Sequence, residues 1–274
     1  MTRRQGVLWL VVIAVIWGAS FVLIKATLTL VSPLLLLAFR FLLAALFVVA
    51  WLRGLTRSEL EGGLVLGLFF WGGFVFQTVG LEYTTPSRSA FITGLSTPLV
   101  PVAEFLLHRR RPSAGTVAAI GVTAVGIWLL THPGGGGGLN RGDLLTFGCA
   151  ALFALQIDAA GRYTRLGRPG RLVALELTAA GVLSLAAAPW VEHVRLVPGW
   201  PAAAALLALA LIAATTFYGQ LAAQAVVSPA VTAVIFTLEP LAAALTSWLL
   251  LGEVLTGLQW LGGALIIGAV ALLR

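Results

Sequence analysis

Long apolar segments separated by short polar breaks dominate the pattern of hydrophobic and polar positions along this chain. The apolar segments are about 20 residues long, the length at which an α-helix crosses the hydrocarbon core of a bilayer. Because the connections between them are short, successive helices are expected to pack antiparallel. The pattern therefore predicts an all-α polytopic membrane protein. Its ten predicted transmembrane helices cover residues 7–28, 33–52, 62–82, 86–107, 113–131, 143–163, 171–190, 201–224, 229–250 and 256–273.

The composition agrees with this prediction. Of the 274 residues, 59% are hydrophobic and 10% are charged, whereas about 25% of the residues in a soluble domain are charged. The net charge of +7 does not indicate nucleic-acid binding, because the basic residues form short clusters between the apolar segments and no nucleic-acid-reading motif accompanies them. The first apolar segment is longer than the core of a signal peptide, so we expect it to be retained as a helix.

The arginines between the predicted helices indicate an orientation. If the N-terminus is cytoplasmic, three of them (Arg88, Arg141 and Arg195) fall on the outer side. The cytoplasmic side then holds twelve: Arg3, Arg4, Arg53, Arg57, Arg109, Arg110, Arg111, Arg162, Arg165, Arg168, Arg171 and Arg274. This bias follows the positive-inside rule and favours an even number of helices. Both termini are therefore predicted to be cytoplasmic.

The two halves of the chain repeat each other. A shift of 142 residues aligns a proline and three glycines of the first half with the same residue types in the second. The aligned pairs are Pro98 with Pro240, Gly115 with Gly257, Gly121 with Gly263 and Gly126 with Gly268. Five consecutive glycines separate the halves. We predict a first five-helix repeat over residues 1–132, a Gly-rich linker over residues 133–141 and a second repeat over residues 142–274.

The odd number of helices per repeat has a topological consequence. The second repeat begins on the opposite side of the membrane, so the two repeats are predicted to be inverted relative to each other. Inverted repeats are typical of secondary transporters, which place the substrate near the bilayer midplane between the halves. A duplicated scaffold or membrane enzyme without a transport path is the alternative.

Three stretches carry motifs that occur together in one transporter family. They are residues 17–21 (WGASF), residues 80–98 beginning with GLEYTTPSRSAFITGL, and residues 238–268 containing LEPL and LGE. In this order they resemble the ten-helix EamA-type members of the drug/metabolite transporter superfamily, over the whole chain. The first half departs from the family pattern, because Arg110 and Arg111 stand where the second half has Gly252 and Glu253. A symmetric role for Glu253 is therefore not expected.

The resemblance implies two halves arranged as an inverted bundle around a central cavity. It implies a substrate among those of the characterised ten-helix members, which export amino acids, related metabolites and some toxic organic cations. It also implies a location in the bacterial cytoplasmic (inner) membrane.

Polar side chains deep in a membrane face protein or water, and helical spacing indicates which of them share a face. Two of the helices with such a face contain a proline, Pro98 or Pro240. Each proline removes a helical hydrogen bond and so frees a backbone carbonyl, which can accept a hydrogen bond from a substrate or a water. Phe21 and Phe70 lie on two further helix faces that are expected to face the cavity. For each serine, threonine and aromatic residue, packing is the alternative. The predicted cavity residues are Trp17, Ser20, Trp71, Phe74, Gln77, Thr93, Ser96, Gln156, Tyr218, Gln220, Phe236 and Glu239.

The acidic residues near the cytoplasmic helix ends suggest structural ion pairs. Glu104, Asp158 and Glu176 fall toward those ends at 1.5 Å per residue. We expect them to pair with nearby arginines, notably Arg162 or Arg171.

Two charged residues of opposite sign, Arg40 and Glu239, lie near mid-depth. They form either a buried pair that locks the structure or a site in which Glu239 is the protonatable or cation-attracting group. Lys25 is expected near the outer surface, with its amine extended to the interface.

The chain shows no motif for catalysis. It has no phosphate-binding loop of the Gly-x-x-x-x-Gly-Lys-Ser/Thr type, so we expect neither ATP hydrolysis nor an ATPase subunit. His108, His132 and His193 are too dispersed for a metal site. We predict a non-enzymatic protein without metal or cofactor, whose partners are the lipid bilayer and a small-molecule substrate.

These observations favour a secondary transporter that works by alternating access. A partly aromatic, mostly uncharged cavity suits zwitterions with apolar side chains, so amino acids are the first predicted substrates. An exporter of hydrophobic organic cations, which requires an essential membrane carboxylate, is the alternative within this class. A non-transporting membrane scaffold or receptor is the alternative from another class.

Overall fold

The computed structural model describes residues 1–109, 111–131, 140–252 and 256–271. Within these ranges the chain is helical and contains no β-strand, only an isolated bridge between Val31 and Leu196. The elements are α1 (Arg3–Thr27), α2 (Pro33–Val48), a 3₁₀-helix (Val49–Leu52), α3 (Arg57–Tyr83), α4 (Pro86–Gly94), α5 (Ser96–His108), α6 (Ala114–Thr131), α7 (Arg141–Tyr163), α8 (Pro169–Val191), α9 (Trp200–Gln224), α10 (Pro229–Phe236), α11 (Leu238–Leu251) and α12 (Gly257–Ala271). The predicted linker, except its last two positions, and Glu253 lie outside the described residues.

Eight segments within the described ranges are long and apolar enough to cross a membrane. Two of them are composite: α4 with α5 spans Pro86–His108, and α10 with α11 spans Pro229–Leu250. The prediction of an all-α polytopic membrane protein is confirmed. The predicted fifth and tenth helices coincide with α6 and α12, which are not among those eight, so the count of ten remains a prediction.

Local sequence explains where the helices begin. Capping boxes start α1, α3 and α7, because Thr2, Thr56 and Asn140 each accept a hydrogen bond from a backbone N–H three residues on, and the side chain there bonds back to the cap. Five other helices (α2, α4, α8, α9 and α10) have a proline in the first turn, where its missing N–H costs nothing. The polar breaks seen in the sequence are therefore helix starts.

Two membrane spans are interrupted at corresponding positions. The span of α4 and α5 breaks at Leu95, and that of α10 and α11 breaks at Thr237. The two breaks are related by the same 142-residue shift as the repeat, and Pro98 or Pro240 follows each of them by three residues. Because proline cannot donate a backbone hydrogen bond, each composite span contains a gap in its helical ladder.

The helices of the two halves are interleaved. The contact of α3 with α7 corresponds to the contact of α9 with α1 in the other half. In the same way, the contact of α3 with α8 corresponds to the contact of α9 with α2. The contact of α1 with α11 likewise corresponds to the contacts of α7 with α4 and α5. Each contact has a counterpart in which the halves exchange roles, which is the pairing that a duplicated architecture predicts. The inversion of the repeats and their boundaries remain predictions.

Lys25 lies near the end of α1, and its amine contacts the end of α3. Its place at the membrane interface remains a prediction. Its Nζ donates to the backbone carbonyls of Leu81 at 2.5 Å, Glu82 at 3.2 Å and Thr84 at 3.0 Å. These carbonyls belong to the C-terminal end of α3, where a cation complements the helix dipole. Lys25 therefore ties α1 to α3.

Near the opposite helix ends, Asp158 and Glu176 do not pair with an arginine of the described chain, contrary to expectation. Arg171 pairs with Glu59 at 2.9 Å, and Asp158 contacts His108 Nε2 at 2.8 Å. Glu176, expected to pair with an arginine, is instead fully buried inside the bundle. Arg171 and Glu176 are five residues apart, about 140° around a helix, so their side chains point to different surroundings.

Candidate functional site

A cavity lies between the two halves, and both contribute to its wall. Its volume is about 40 Å³, enough for about three waters at ~10–15 Å³ each. The wall consists of Trp17, Ser20, Phe21, Ile24, Arg40, Phe70, Phe74, Gln77, Thr93, Gly94, Ser96, Phe153, Gln156, Ile157, Phe217, Gln220, Phe236 and Glu239.

Most of the residues predicted from the sequence meet in this wall. The ten that do are Trp17, Ser20, Phe74, Gln77, Thr93, Ser96, Gln156, Gln220, Phe236 and Glu239. Tyr218 lies elsewhere: it is 41% exposed, and its ring centroid is 5.0 Å from that of Trp51. It is two positions, or about 200°, around α9 from Gln220 and so faces away from the cavity. Trp71 packs against the hydrophobic core beside the cavity.

The wall contains six residues that the sequence argument did not place there. Phe153 precedes Gln156 by three residues and so shares its helix face, a signal that was available from spacing. Spacing does not predict that Arg40 lines a cavity, because this depends on contacts between distant helices. The six are Ile24, Arg40, Gly94, Phe153, Ile157 and Phe217.

Seven of the wall residues are aromatic. One is Phe21, and the rings of the other six contact one another: Trp17, Phe70, Phe74, Phe153, Phe217 and Phe236. Phe217 lies at the centre of this group. Its ring centroid is 5.0 Å from that of Trp17, 4.5 Å from that of Phe70 and 5.6 Å from that of Phe74. The rings meet at tilted and edge-on angles, the arrangements that aromatic pairs prefer. The apolar wall is therefore a connected aromatic surface contributed by both halves.

A chain of buried polar side chains reaches the cavity from the second half. Gln220 Nε2 donates to Gln156 Oε1 at 3.1 Å and to Gln224 Oε1 at 3.0 Å. Gln156 Nε2 in turn donates to Glu176 Oε1 at 2.7 Å. Within the described residues, the other carboxyl oxygen of Glu176 has no hydrogen-bond partner. The chain fixes the orientation of the two amides, Gln156 and Gln220, that face the cavity.

Both helix breaks open onto the cavity. Pro98 and Pro240 lack the N–H groups that would bond to the carbonyls of Gly94 and Phe236 in an unbroken helix. Gly94 and Phe236 both line the cavity. Interrupted helices at corresponding positions of two repeats are where many secondary transporters bind their substrates. The carbonyls at these breaks are acceptors suited to an ammonium group or a water.

Two charged side chains of opposite sign line the same cavity, Arg40 from α2 and Glu239 from α11. Their charged atoms are more than 4.0 Å apart, so the buried pair considered from the sequence is not formed. The Arg40 guanidinium carbon lies 5.3 Å from the ring centroid of Phe41 and 5.1 Å from that of Phe74. Neither Nε nor Nη1 of Arg40 has a hydrogen-bond partner within the described part of the chain.

Comparison with known proteins agrees with this architecture. A family model, the EamA-like transporter family, matches residues 4–132 and again residues 140–274. An uncharacterized transporter of Archaeoglobus fulgidus is 31% identical over 271 residues, covering 98% of this chain and 85% of that protein. The uncharacterized transporter YyaM of Bacillus subtilis is 28% identical over 167 residues, covering 56% of this chain and 54% of its own. One solved crystal structure shares the fold, with a TM-score of 0.81, 20% identity and 97% of each chain covered.

Proposed function

Because this chain belongs to the EamA-like transporter family, within the drug/metabolite transporter superfamily, we propose that it is a secondary transporter that exports small metabolites. Amino acids with apolar or aromatic side chains are the first substrate class. The observation that carries this proposal is the central cavity, which combines a connected aromatic wall with one basic and one acidic side chain, Arg40 and Glu239. Aromatic rings suit an apolar side chain, and the two charges suit a zwitterion.

Alternating access is the proposed mechanism. The substrate enters the cavity from one side of the membrane and leaves it toward the other. Since both halves contribute to the wall, movement of one half against the other opens and closes it. We propose that a solute or ion gradient drives this movement, without ATP hydrolysis or any enzymatic step. The proposed location is the bacterial inner membrane, with both termini cytoplasmic.

Export of hydrophobic organic cations is the second candidate. Glu239 and the aromatic wall favour it, because a carboxylate and aromatic faces both attract a cation. Arg40 in the same cavity opposes it, because a second positive charge repels a cationic substrate. The balance of charges in the wall therefore favours zwitterions.

A flux screen with purified protein in liposomes tests the proposal. Labelled phenylalanine, leucine, a nucleoside and the cation tetraphenylphosphonium are each followed across the membrane, with protein-free liposomes as the control. We expect flux of the two amino acids above the control. Folded protein that moves none of the four compounds would contradict the proposal and favour a scaffold or receptor.

Replacing Glu239 with glutamine is expected to lower amino-acid flux in these liposomes by about tenfold or more. The substitution keeps the size of the side chain but removes the charge that attracts an ammonium group, and hydrogen bonds to charged groups contribute ~1.5–3 kcal/mol. The matched control is Glu61→Gln, because the Glu61 side chain is 59% exposed at the start of α3. Unchanged amino-acid flux in Glu239→Gln would show that the carboxylate takes no part in transport.

A further inference from the structure

We propose that Arg40 binds the carboxylate of the transported molecule, so that the cavity selects amino acids over the corresponding amines. This inference rests on the proposed function, since it assigns one end of the proposed zwitterionic substrate to a named residue. Three features of Arg40 carry it: its burial, the absence of a carboxylate partner among the described residues and its position in the cavity wall.

Arg40 is among the largest fully buried side chains of the described structure, with 1% of its surface exposed. A guanidinium remains protonated in proteins, so burial does not neutralise it. Removing a charge from water is costly unless the charge is paired and hydrogen-bonded. An arginine at this position therefore requires a compensating interaction.

The described protein does not provide a carboxylate for this interaction. The four ion pairs among the described residues do not include Arg40. Glu239 lies in the wall of the same cavity but beyond ion-pair distance from Arg40. Nε and Nη1 of Arg40 have no partner within the described residues. An anion that enters the cavity would supply the negative charge and the hydrogen-bond acceptors that Arg40 lacks among the described residues.

The surroundings of Arg40 favour a carboxylate as that anion. The rings of Phe41 and Phe74 lie over the guanidinium and shield it from lipid, leaving its N–H groups as donors. Adjacent guanidinium N–H groups match the two oxygens of a carboxylate, which they bind in a bidentate manner. Glu239 in the same wall suits the ammonium group, and the aromatic rings suit the side chain. A molecule with all three parts is an α-amino acid.

The alternative role for Arg40 is a partner for Glu239 in another conformation of the protein. In that case Arg40 would stabilise one transport state and would not recognise the substrate. The two roles differ in their dependence on substrate chemistry. A recognition residue discriminates between phenylalanine and phenethylamine, its decarboxylated amine, whereas a structural pair affects both compounds equally.

The test compares the fluxes of phenylalanine and phenethylamine in liposomes that contain the full chain. We expect the wild type to prefer phenylalanine, and Arg40→Gln to lower phenylalanine flux by about tenfold or more while phenethylamine flux is retained or increased. Arg40→Lys keeps the charge but loses the bidentate geometry, so its preference for phenylalanine should be intermediate. Arg57→Gln is the matched control, because the Arg57 side chain is 93% exposed.

Several results would overturn the inference. One is an unchanged flux ratio in Arg40→Gln, and another is an equal loss of both fluxes in a folded variant, which assigns Arg40 to the structural role. If Arg40→Gln does not fold, Arg40→Lys and the wild type are measured instead. Equal transport of phenylalanine and phenethylamine by the wild type would refute carboxylate recognition. Wild-type liposomes that move no amino acid contradict the proposed function itself, so the two failures are distinguishable.

Discussion

Replacing Gly18 with valine will prevent α1 from packing against α11 and will leave little folded protein. A Cβ atom at Gly18 would lie 2.6 Å from the Cβ of Ala242 and 2.8 Å from the backbone nitrogen of Ala243, and it would also clash with the backbone carbonyl of Glu239. Backbone atoms cannot rotate away as a flexible side chain can. Small residues allow such close approaches between membrane helices, and overpacking costs ~1–3 kcal/mol or more.

Size-exclusion profiles and thermal unfolding of the detergent-purified variants check this prediction. We expect the unfolding midpoint to fall in the order wild type, Gly18→Ala and Gly18→Val. Gly121→Ala in α6 is the control, because no described atom lies within 4 Å of a Cβ added there. Its effect should be neutral or stabilising by up to about 1 kcal/mol, the difference in helix propensity. A Gly18→Val protein as stable as the wild type would mean that α1 and α11 do not pack this closely.

Asp143→Ala is expected to lower the free energy of unfolding by ~1–3 kcal/mol, the cost of leaving buried hydrogen-bond donors without their acceptor. Asp143 is fully buried, and its Oδ2 lies 2.6 Å from Arg88 Nη2. The carboxylate also accepts hydrogen bonds from the backbone N–H of Asn140 at 2.9 Å and from Thr84 Oγ1 at 3.1 Å. These contacts join the start of α7 to the connection between α3 and α4. Removing the carboxylate takes away the acceptor of the Asn140 N–H and of the Thr84 hydroxyl.

The exposed pair between Arg57 and Glu61 provides the control for Asp143. Its N···O distance is 2.9 Å, but the two side chains are 93% and 59% exposed. Exposed pairs contribute ~0–1 kcal/mol, so Glu61→Ala should leave the unfolding midpoint nearly unchanged. The measurement is thermal or denaturant unfolding of both variants in the same detergent. Equal effects of Asp143→Ala and Glu61→Ala would contradict the role assigned to burial.

Much of the fold could be predicted because its determinants are local. The predicted helix 229–250 coincides with the span Pro229–Leu250, and the predicted helix 86–107 ends one residue before the span Pro86–His108. The length of an apolar segment determines whether it can cross the membrane. Caps and prolines determine where it begins. Both kinds of signal lie within a few residues of the structure they specify.

The candidate site could be predicted in part, for a different reason. Gln77, Gln156 and Glu239 were assigned to a cavity because a polar side chain in the membrane cannot face lipid without cost, and all three line it. Tyr218 and Trp71 carried a weaker signal. An aromatic ring with a polar group suits a cavity, a helix contact or the membrane interface equally well, so spacing alone could not place these two residues.

The sequence by itself determined the membrane class, the positions of the helices and the paired breaks before Pro98 and Pro240, because each follows from hydrophobic length or backbone chemistry within one segment. Only the tertiary structure decided which charged groups meet. It paired Arg171 with Glu59 and placed Arg40 in the cavity wall, with no acidic partner among the described residues. Those outcomes depend on the rotation and depth of helices that are distant in sequence. Rotation and depth are set by the packing of all the helices together, and spacing within one helix does not report them.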